Sequence, residues 1–190
     1  MSKKFLNFKN NAQFNRLPRL PSRGLRFLLL SSIGTIIALR LSKKHQAHII
    51  IAQDPYQGFV GALVKSIARF FGNKKIKLVV ENHGDFENSI FIQKKVSGGR
   101  LNKKIFNWLA KFSLKRADVL RGVSQATVDQ LKKWNNSVPV VKFPAWTDIE
   151  VFSLVKRQDQ LTNPIIIFAG ALAPIKGVEY LIKAFKEVNN

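Results

Sequence analysis

Two short stretches of this chain combine residue types that could hold and transfer a charged group. The first, FAGALAPIKGVEYLIKAF at residues 168–185, runs from an apolar segment ending at Gly170, through a loop with Pro174, to Lys176, Gly177 and an amphipathic helix. Backbone N–H groups at a helix start, the positive end of the helix dipole and one lysine ammonium together form an anion site, and a diphosphate fits that chemistry. The same spacing also fits an ordinary strand-to-helix turn with a solvent-facing lysine. The second stretch, VVENHGD at residues 79–85, ends an apolar run in His83, Gly84 and Asp85. His83 is a candidate for contact with a reacting group; the alternative is a loop histidine that caps local backbone. Asp85 could accept a hydrogen bond from a substrate hydroxyl or cap a turn, and Asp54, before Pro55, is a turn residue that could line the same cleft. Ser124 has the type and position of a helix N-cap. Asp118 opens a strand, which gives it a structural role.

The elements that would carry these residues alternate. Leu25–Leu41 is predicted as a buried helix, Ala47–Gln53 as a β-branched strand, and Gly58–Phe71 as a helix with Val60, Leu63, Val64, Ile67 and Phe71 on one face. Lys75–Val80 is predicted as a strand, and residues 81–99 as a loop. Leu101, Ile105, Trp108, Leu109 and Phe112 then recur at helical spacing. Val119–Val123 and Val138–Phe143 are predicted strands flanking a helix over Gln125–Trp134. Pro164–Ala169 is predicted as a strand, followed by a helix from about Gly177. Strand–helix alternation with continuous apolar strands implies a parallel sheet covered on both faces, with ligands bound beyond the carboxyl ends of the strands. Asp54, the 82–85 loop, Ser124 and the 170–177 loop all fall at such ends.

Composition narrows the function classes. The chain has 190 residues, 46% of them apolar, which supports a folded core. It has no cysteine, which excludes a disulfide framework or a thiolate metal site. His45, His48 and His83 form no H-x-x-x-H pair for zinc, and no Asp-x-Asp pair is present to hold a divalent cation. Thirty-two Lys and Arg face eleven Asp and Glu, a net charge of +21. No acid precedes Asp54, and none lies between Glu87 and Asp118, a run that carries Lys94, Lys95, Arg100, Lys103, Lys104, Lys111, Lys115 and Arg116. Such a field attracts anionic lipid, nucleic acid or phosphorylated ligands; its bland counterpart is a solvated surface. No helix-turn-helix, zinc-finger or RNA-stacking signature accompanies it, so nucleic acid is not the expected partner. Leu101–Arg116, with Trp108 and Phe112 among cations, has the pattern of an interfacial helix on anionic lipid, although its apolar positions also fit a single core face. The apolar stretch Phe27–Leu39 is too short for a membrane span, which needs about 20 residues.

Taken together and in order, these stretches resemble family 4 glycosyltransferases of the GT-B type. IIIAQDP at 49–55, VVENHGD at 79–85, KRADVLRGVS at 115–124, FPAWTDIEVF at 143–152 and the 168–185 stretch are each similar to a segment of that family. The resemblance covers residues 25–190. It implies a Rossmann-like parallel sheet with flanking helices, the GT-B N-terminal domain, plus a partial second domain. The expected division is a basic flexible arm over 1–24, the first domain with its linker over 25–162, and the opening strand and helix of a donor-binding domain over 163–190.

The resemblance further implies retaining transfer of a sugar from a nucleotide-sugar donor to a hydroxyl acceptor, in cell-envelope glycan or glycolipid synthesis. No metal or other cofactor is expected. Lys176, with Gly170 and Gly177, would meet the donor diphosphate and stabilise charge on the leaving group. His83 would be catalytic, beside the transferred sugar, with Asp54, Gly84, Asp85 and Ser124 on the acceptor side of the cleft. The expected location is cytoplasmic, peripheral on the inner face of the membrane.

Three departures bear on activity. Ala171 stands where the family carries an arginine, a bidentate donor that lysine does not imitate. The family's acidic pair that grips the donor would lie beyond Asn190, and the first strand with its glycine-rich loop gives way to the basic arm. The expectation is therefore an incomplete donor site. The alternative function is a non-catalytic truncated or split subunit that binds a second chain supplying the C-terminal half, or an anionic membrane surface.

Overall fold

The computed structural model describes residues 29–73, 75–92, 99–144, 150 and 165–188. The basic arm over 1–24 and most of the linker after Pro144 lie outside the described residues. A π-helical turn over Leu30–Gly34 runs into helix α1, Thr35–Lys44. Then follow β1 Ile49–Ala52, α2 Gly58–Phe70, β2 Lys77–Asn82, α3 Phe86–Ile92, α4 Arg100–Arg116, β3 Val119–Gly122, α5 Gln125–Trp134 and β4 Val140–Lys142. A 3-10 turn, Pro174–Lys176, and helix α6, Val178–Val188, close the described chain.

The four strands form one parallel sheet in the order β1-β2-β3-β4. This is the α/β, Rossmann-like architecture of a parallel sheet with flanking helices. Each β-branched strand run is followed by a chain reversal and a helix, and that succession leaves parallel pairing as the way to bury strand and helix together.

Alternation along the strands separates the two faces of the sheet. Ile50, Leu78, Val80, Leu120 and Val140 stand side by side on one face, and α2, α4 and α5 pack on it. Leu78, Val80, Leu120, Leu114 and Leu131 are fully enclosed there and form the core. Small residues let α2 sit close: its buried positions are Gly58, Gly61, Ala62, Val64, Lys65 and Ala68, whereas Phe70 and Phe71 are exposed. Gly122 works similarly for α5. A Cβ there would lie 2.7 Å from the Val128 backbone nitrogen.

The other face differs from the expectation of a sheet covered on both sides. Ile49, Ile51 and Val141 on that face are exposed, and no helix of the described residues buries them. Continuous apolar strands read as doubly buried, but β-branched residues also favour strands on conformational grounds alone, so the run did not report which face was covered.

Three other expectations change. The described part of the predicted Leu25–Leu41 helix is not buried and apolar: the buried residues of α1 are Thr35 and Ser42, while Ile36 of α1 and Ile33 of the preceding turn face solvent. The predicted loop over 81–99 contains helix α3. Residues 165–169 form no strand, and Ile165, Ile166 and Ile167 are exposed. A strand is defined by its ladder, and no described strand lies beside this segment to supply one.

Candidate functional site

The carboxyl ends of all four parallel strands lie along one edge of the sheet, and the residues beyond them meet there. Three of the carboxylates and hydroxyls at this edge are engaged with helix starts. Asp54 Oδ1 accepts from the backbone N–H groups of Tyr56 (2.8 Å) and Gln57 (2.7 Å). Asp85 Oδ1 accepts from the N–H groups of Glu87 and Asn88 at the start of α3, and also from Gln130 Nε2 of α5 at 2.9 Å. Ser124 Oγ accepts from Thr127 N while Thr127 Oγ1 accepts from Ser124 N, a reciprocal capping box that opens α5. Burial works to raise the Asp85 carboxyl, but hydrogen bonds from the Asn88 and Gln130 side chains and from backbone hold it below its usual value. Asp85 thus caps α3 through Oδ1, and its Oδ2 accepts from Asn88 Nδ2 at 2.9 Å.

His83 follows β2 directly and keeps an exposed ring. Its Nε2 lies 2.9 Å from Glu81 Oε2. Glu81 is itself held by Arg121, through Nη1 to the other carboxylate oxygen. Arg121 also donates through Nη2 to the Phe143 carbonyl at 3.1 Å, and its guanidinium stacks over the Phe143 ring with 4.7 Å to the centroid. Three strands thus position one imidazole: β2 supplies Glu81, β3 supplies Arg121, and the end of β4 supplies the Phe143 carbonyl. Burial of the Glu81 carboxyl works to raise its pKa. The hydrogen bonds from His83 and Arg121 and the Arg121 charge outweigh it and hold Glu81 ionised below the usual glutamate value.

Glu81 and Arg121 were quoted within the sequence stretches but not given a role. Arg121 is the one charge of β3, Glu81 follows Val79 and Val80 in β2, and the register places the two opposite one another. Gly84 N donates to Asn82 Oδ1 at 3.3 Å, and a Cβ at Gly84 would meet nothing within 4 Å. The 84 position is therefore open space beside His83.

The 170–177 loop is arranged differently from the expected cradle. Lys176 N donates to Ala173 O (2.8 Å) and Gly177 N to Pro174 O (3.1 Å), so both N–H groups are used inside the 3-10 turn. Gly177 adopts φ 63°, the left-handed region that glycine enters at no steric cost. Glu179 sits in the first turn of α6 and already places a negative charge at its positive end. The Lys176 ammonium remains exposed, and the turn that carries it packs against α3. Gly170 lies before it, with the Phe168 ring 3.2 Å from where a Cβ would stand. The fold therefore brings His83, Gly84, Asp85 and Ser124 to one edge and sets the Lys176 turn against the helix that begins after Asp85. Among the described residues no group of three His, Asp or Glu side chains could hold a metal ion.

The carboxylates give a pH prediction. Glu81 and Asp85 both have folded-state pKa values below their unfolded ones. Their contribution is fully present above the ordinary carboxylate range, about pH 4–5, and is lost as pH falls through the depressed folded values. Thermal midpoints should therefore fall as pH is lowered below that range, and Glu81→Gln should flatten the slope. An unchanged slope in the variant would show that the Glu81 bridge does not form.

The sequence model of Glycosyltransferase Family 4 matches residues 5–150. No curated protein sequence matches the chain. The matched span takes in all four strands, α1 to α5, and His83 with its Glu81–Arg121 support, and begins within the segment read as a basic arm. Matching well over half of the 190 residues, with a parallel Rossmann-like sheet under the match, the chain belongs to glycosyltransferase family 4.

Proposed function

We propose that this chain provides the acceptor-side domain of a nucleotide-sugar glycosyltransferase acting in the cytoplasm, with His83 beside the transferred sugar. The observation that carries the reading is the exposed His83 ring at the carboxyl edge of the sheet, held by Glu81, which is held in turn by Arg121. With Nε2–H given to Glu81, a neutral ring keeps its Nδ1 lone pair for a sugar or acceptor hydroxyl. The reaction would form a bond from the acceptor oxygen to the anomeric carbon and break the bond from that carbon to the diphosphate oxygen. Lys176 would stabilise the negative charge left on the diphosphate. Ala171 offers no guanidinium, so within the loop Lys176 would act without the arginine that the family resemblance implies. The acceptor would be a hydroxyl of an envelope glycan or glycolipid.

A second reading is favoured by one observation. α6 has no buried residue, and Leu181, Ile182 and Phe185 on its apolar stripe face solvent. On this reading the chain is a non-catalytic or split subunit, and a partner chain covers that stripe.

One titration separates the two. An isotope-labelled chain is mixed with UDP-, GDP- and ADP-sugars and with simple glycoside acceptors, and amide shifts are followed. Movement at His83, Gly84 and Ser124 with acceptor, lost in His83→Ala, supports sugar transfer. Spectra that stay silent at both the 82–85 loop and Lys176 for every sugar sink it and leave the partner-binding reading.

A further inference from the structure

Helix α4 carries two apolar stripes, and the fold uses only one. Leu109, Ala110, Ser113 and Leu114 are buried against the sheet and α2. Leu101, Ile105 and Trp108 follow one another at i, i+4 and i+7, and are 71%, 45% and 56% exposed. At about 100° per residue they project away from the core stripe, and Phe112 extends their line by one more turn. The sequence had left open whether these positions formed one core face; the structure assigns Leu101, Ile105 and Trp108 to the outside.

The surroundings of the outer stripe are basic and aromatic. Lys104, Lys111 and Lys115 run along one flank by helical angle, and Arg116 lies on the other with its guanidinium 3.6 Å from the Phe112 ring centroid. Phe59 of α2 packs against Trp108 at 5.7 Å and Phe112 at 5.1 Å, so the outer aromatics form a braced patch. No acid occurs between Glu87 and Asp118, so nothing on α4 offsets these cations.

We propose that the outer face of α4 docks the chain on the surface of an anionic lipid bilayer. A helix with apolar and tryptophan side chains on one face and lysines beside them lies in the headgroup plane, with the apolar groups shallowly inserted and the cations on lipid phosphates. Charge selects the occupant. A second copy of this chain brings another +21 to the contact, and two such fields repel. A lipid surface offers dense negative charge without needing a complementary pocket. No described helix is long and apolar enough to cross a membrane.

The test is sedimentation of the full chain with vesicles of phosphatidylcholine alone or of phosphatidylcholine with phosphatidylglycerol. Binding is expected only with phosphatidylglycerol, weakening as salt rises because exposed charge is screened within about 8 Å at physiological ionic strength. Lys104→Gln with Lys111→Gln should weaken partitioning about thirtyfold, from about 1 kcal/mol per lysine at an anionic surface. Leu101→Ser removes an exposed apolar side chain, leaves the core intact, and should weaken partitioning about tenfold. Lys43→Gln with Lys44→Gln removes the same charge from the exposed end of α1 and should have far less effect. Equal loss from both lysine pairs would overturn the assignment to α4 and leave diffuse charge attraction. Equal binding to both vesicle types, or none to either, would overturn the proposal, and the latter would point to an acidic protein partner.

Discussion

Replacing Asp118 by alanine should destabilise the fold by about 3–5 kcal/mol, as expected for removing one partner of a buried ion pair. Lys65 projects from α2 into the core with a side chain 7% exposed, and its ammonium meets Asp118 Oδ2 at 2.5 Å and the Arg116 carbonyl at 2.6 Å. The same carboxylate oxygen accepts the Leu78 backbone N–H at 2.7 Å. Arg69 and Lys77 add weaker attraction at 3.5 and 3.6 Å. Asp118 thus joins α2, β2 and the start of β3 through one side chain. Burial lowers the Lys65 pKa, with the Asp118 hydrogen bond and charge opposing the shift. Without the carboxylate the ammonium stays enclosed among apolar groups, and β2 loses a backbone partner at Leu78. Denaturant unfolding would read the effect. Lys65→Met combined with Asp118→Ala should recover a large part of the loss, because no buried charge is then left behind. A loss below about 1 kcal/mol in the single variant would mean that the pair is solvated.

Leu120→Ala should cost about 3 kcal/mol, within the range for deleting buried leucine atoms and leaving a cavity. Leu120 is fully buried on the covered face of the sheet, in the core cluster with Leu114 of α4 and Leu131 of α5. Val141 stands on the opposite face, close to half exposed, and Val141→Ala should cost less than about 1 kcal/mol. Both are apolar strand residues, Leu120 on the inner strand β3 and Val141 on the edge strand β4, and the contrast reads the one-sided cover of the sheet. Similar losses at both positions, by denaturant midpoint at unchanged slope, would show that the second face is also buried in solution.

Local signals in the chain were sufficient for most elements. Ser124 followed by the apolar stripe of Gln125–Trp134 marked α5 to the residue, because its cap and its termini depend on neighbours within a few positions. The apolar runs at 47–53, 75–80 and 119–123 likewise announced strands, found at 49–52, 77–82 and 119–122, and their alternation with helices implied parallel pairing. Signals failed where length or partners mattered. α3 has only seven residues, too few for a periodic pattern, although Asp85 two and three residues before its N–H partners was a cap in plain view. Residues 165–169 had strand composition, but composition does not supply a second strand.

The sequence by itself determined the parallel α/β class, the glycosyltransferase family, and the placement of His83 and Lys176 in loops after apolar runs. Each of these rests on residue types in short windows and on the order of those windows along the chain. Tertiary structure decided what those residues do. Glu81 and Arg121 are forty positions apart, and only strand register turns them into the support of His83. Asp54, Asp85 and Ser124 were open to several roles by type, and the fold shows that each accepts N–H groups at a helix start. On α4 both apolar stripes have equal claim to the core by periodicity. The choice fell to the one that α2 and the sheet could enclose, which left Leu101, Ile105 and Trp108 on the outside.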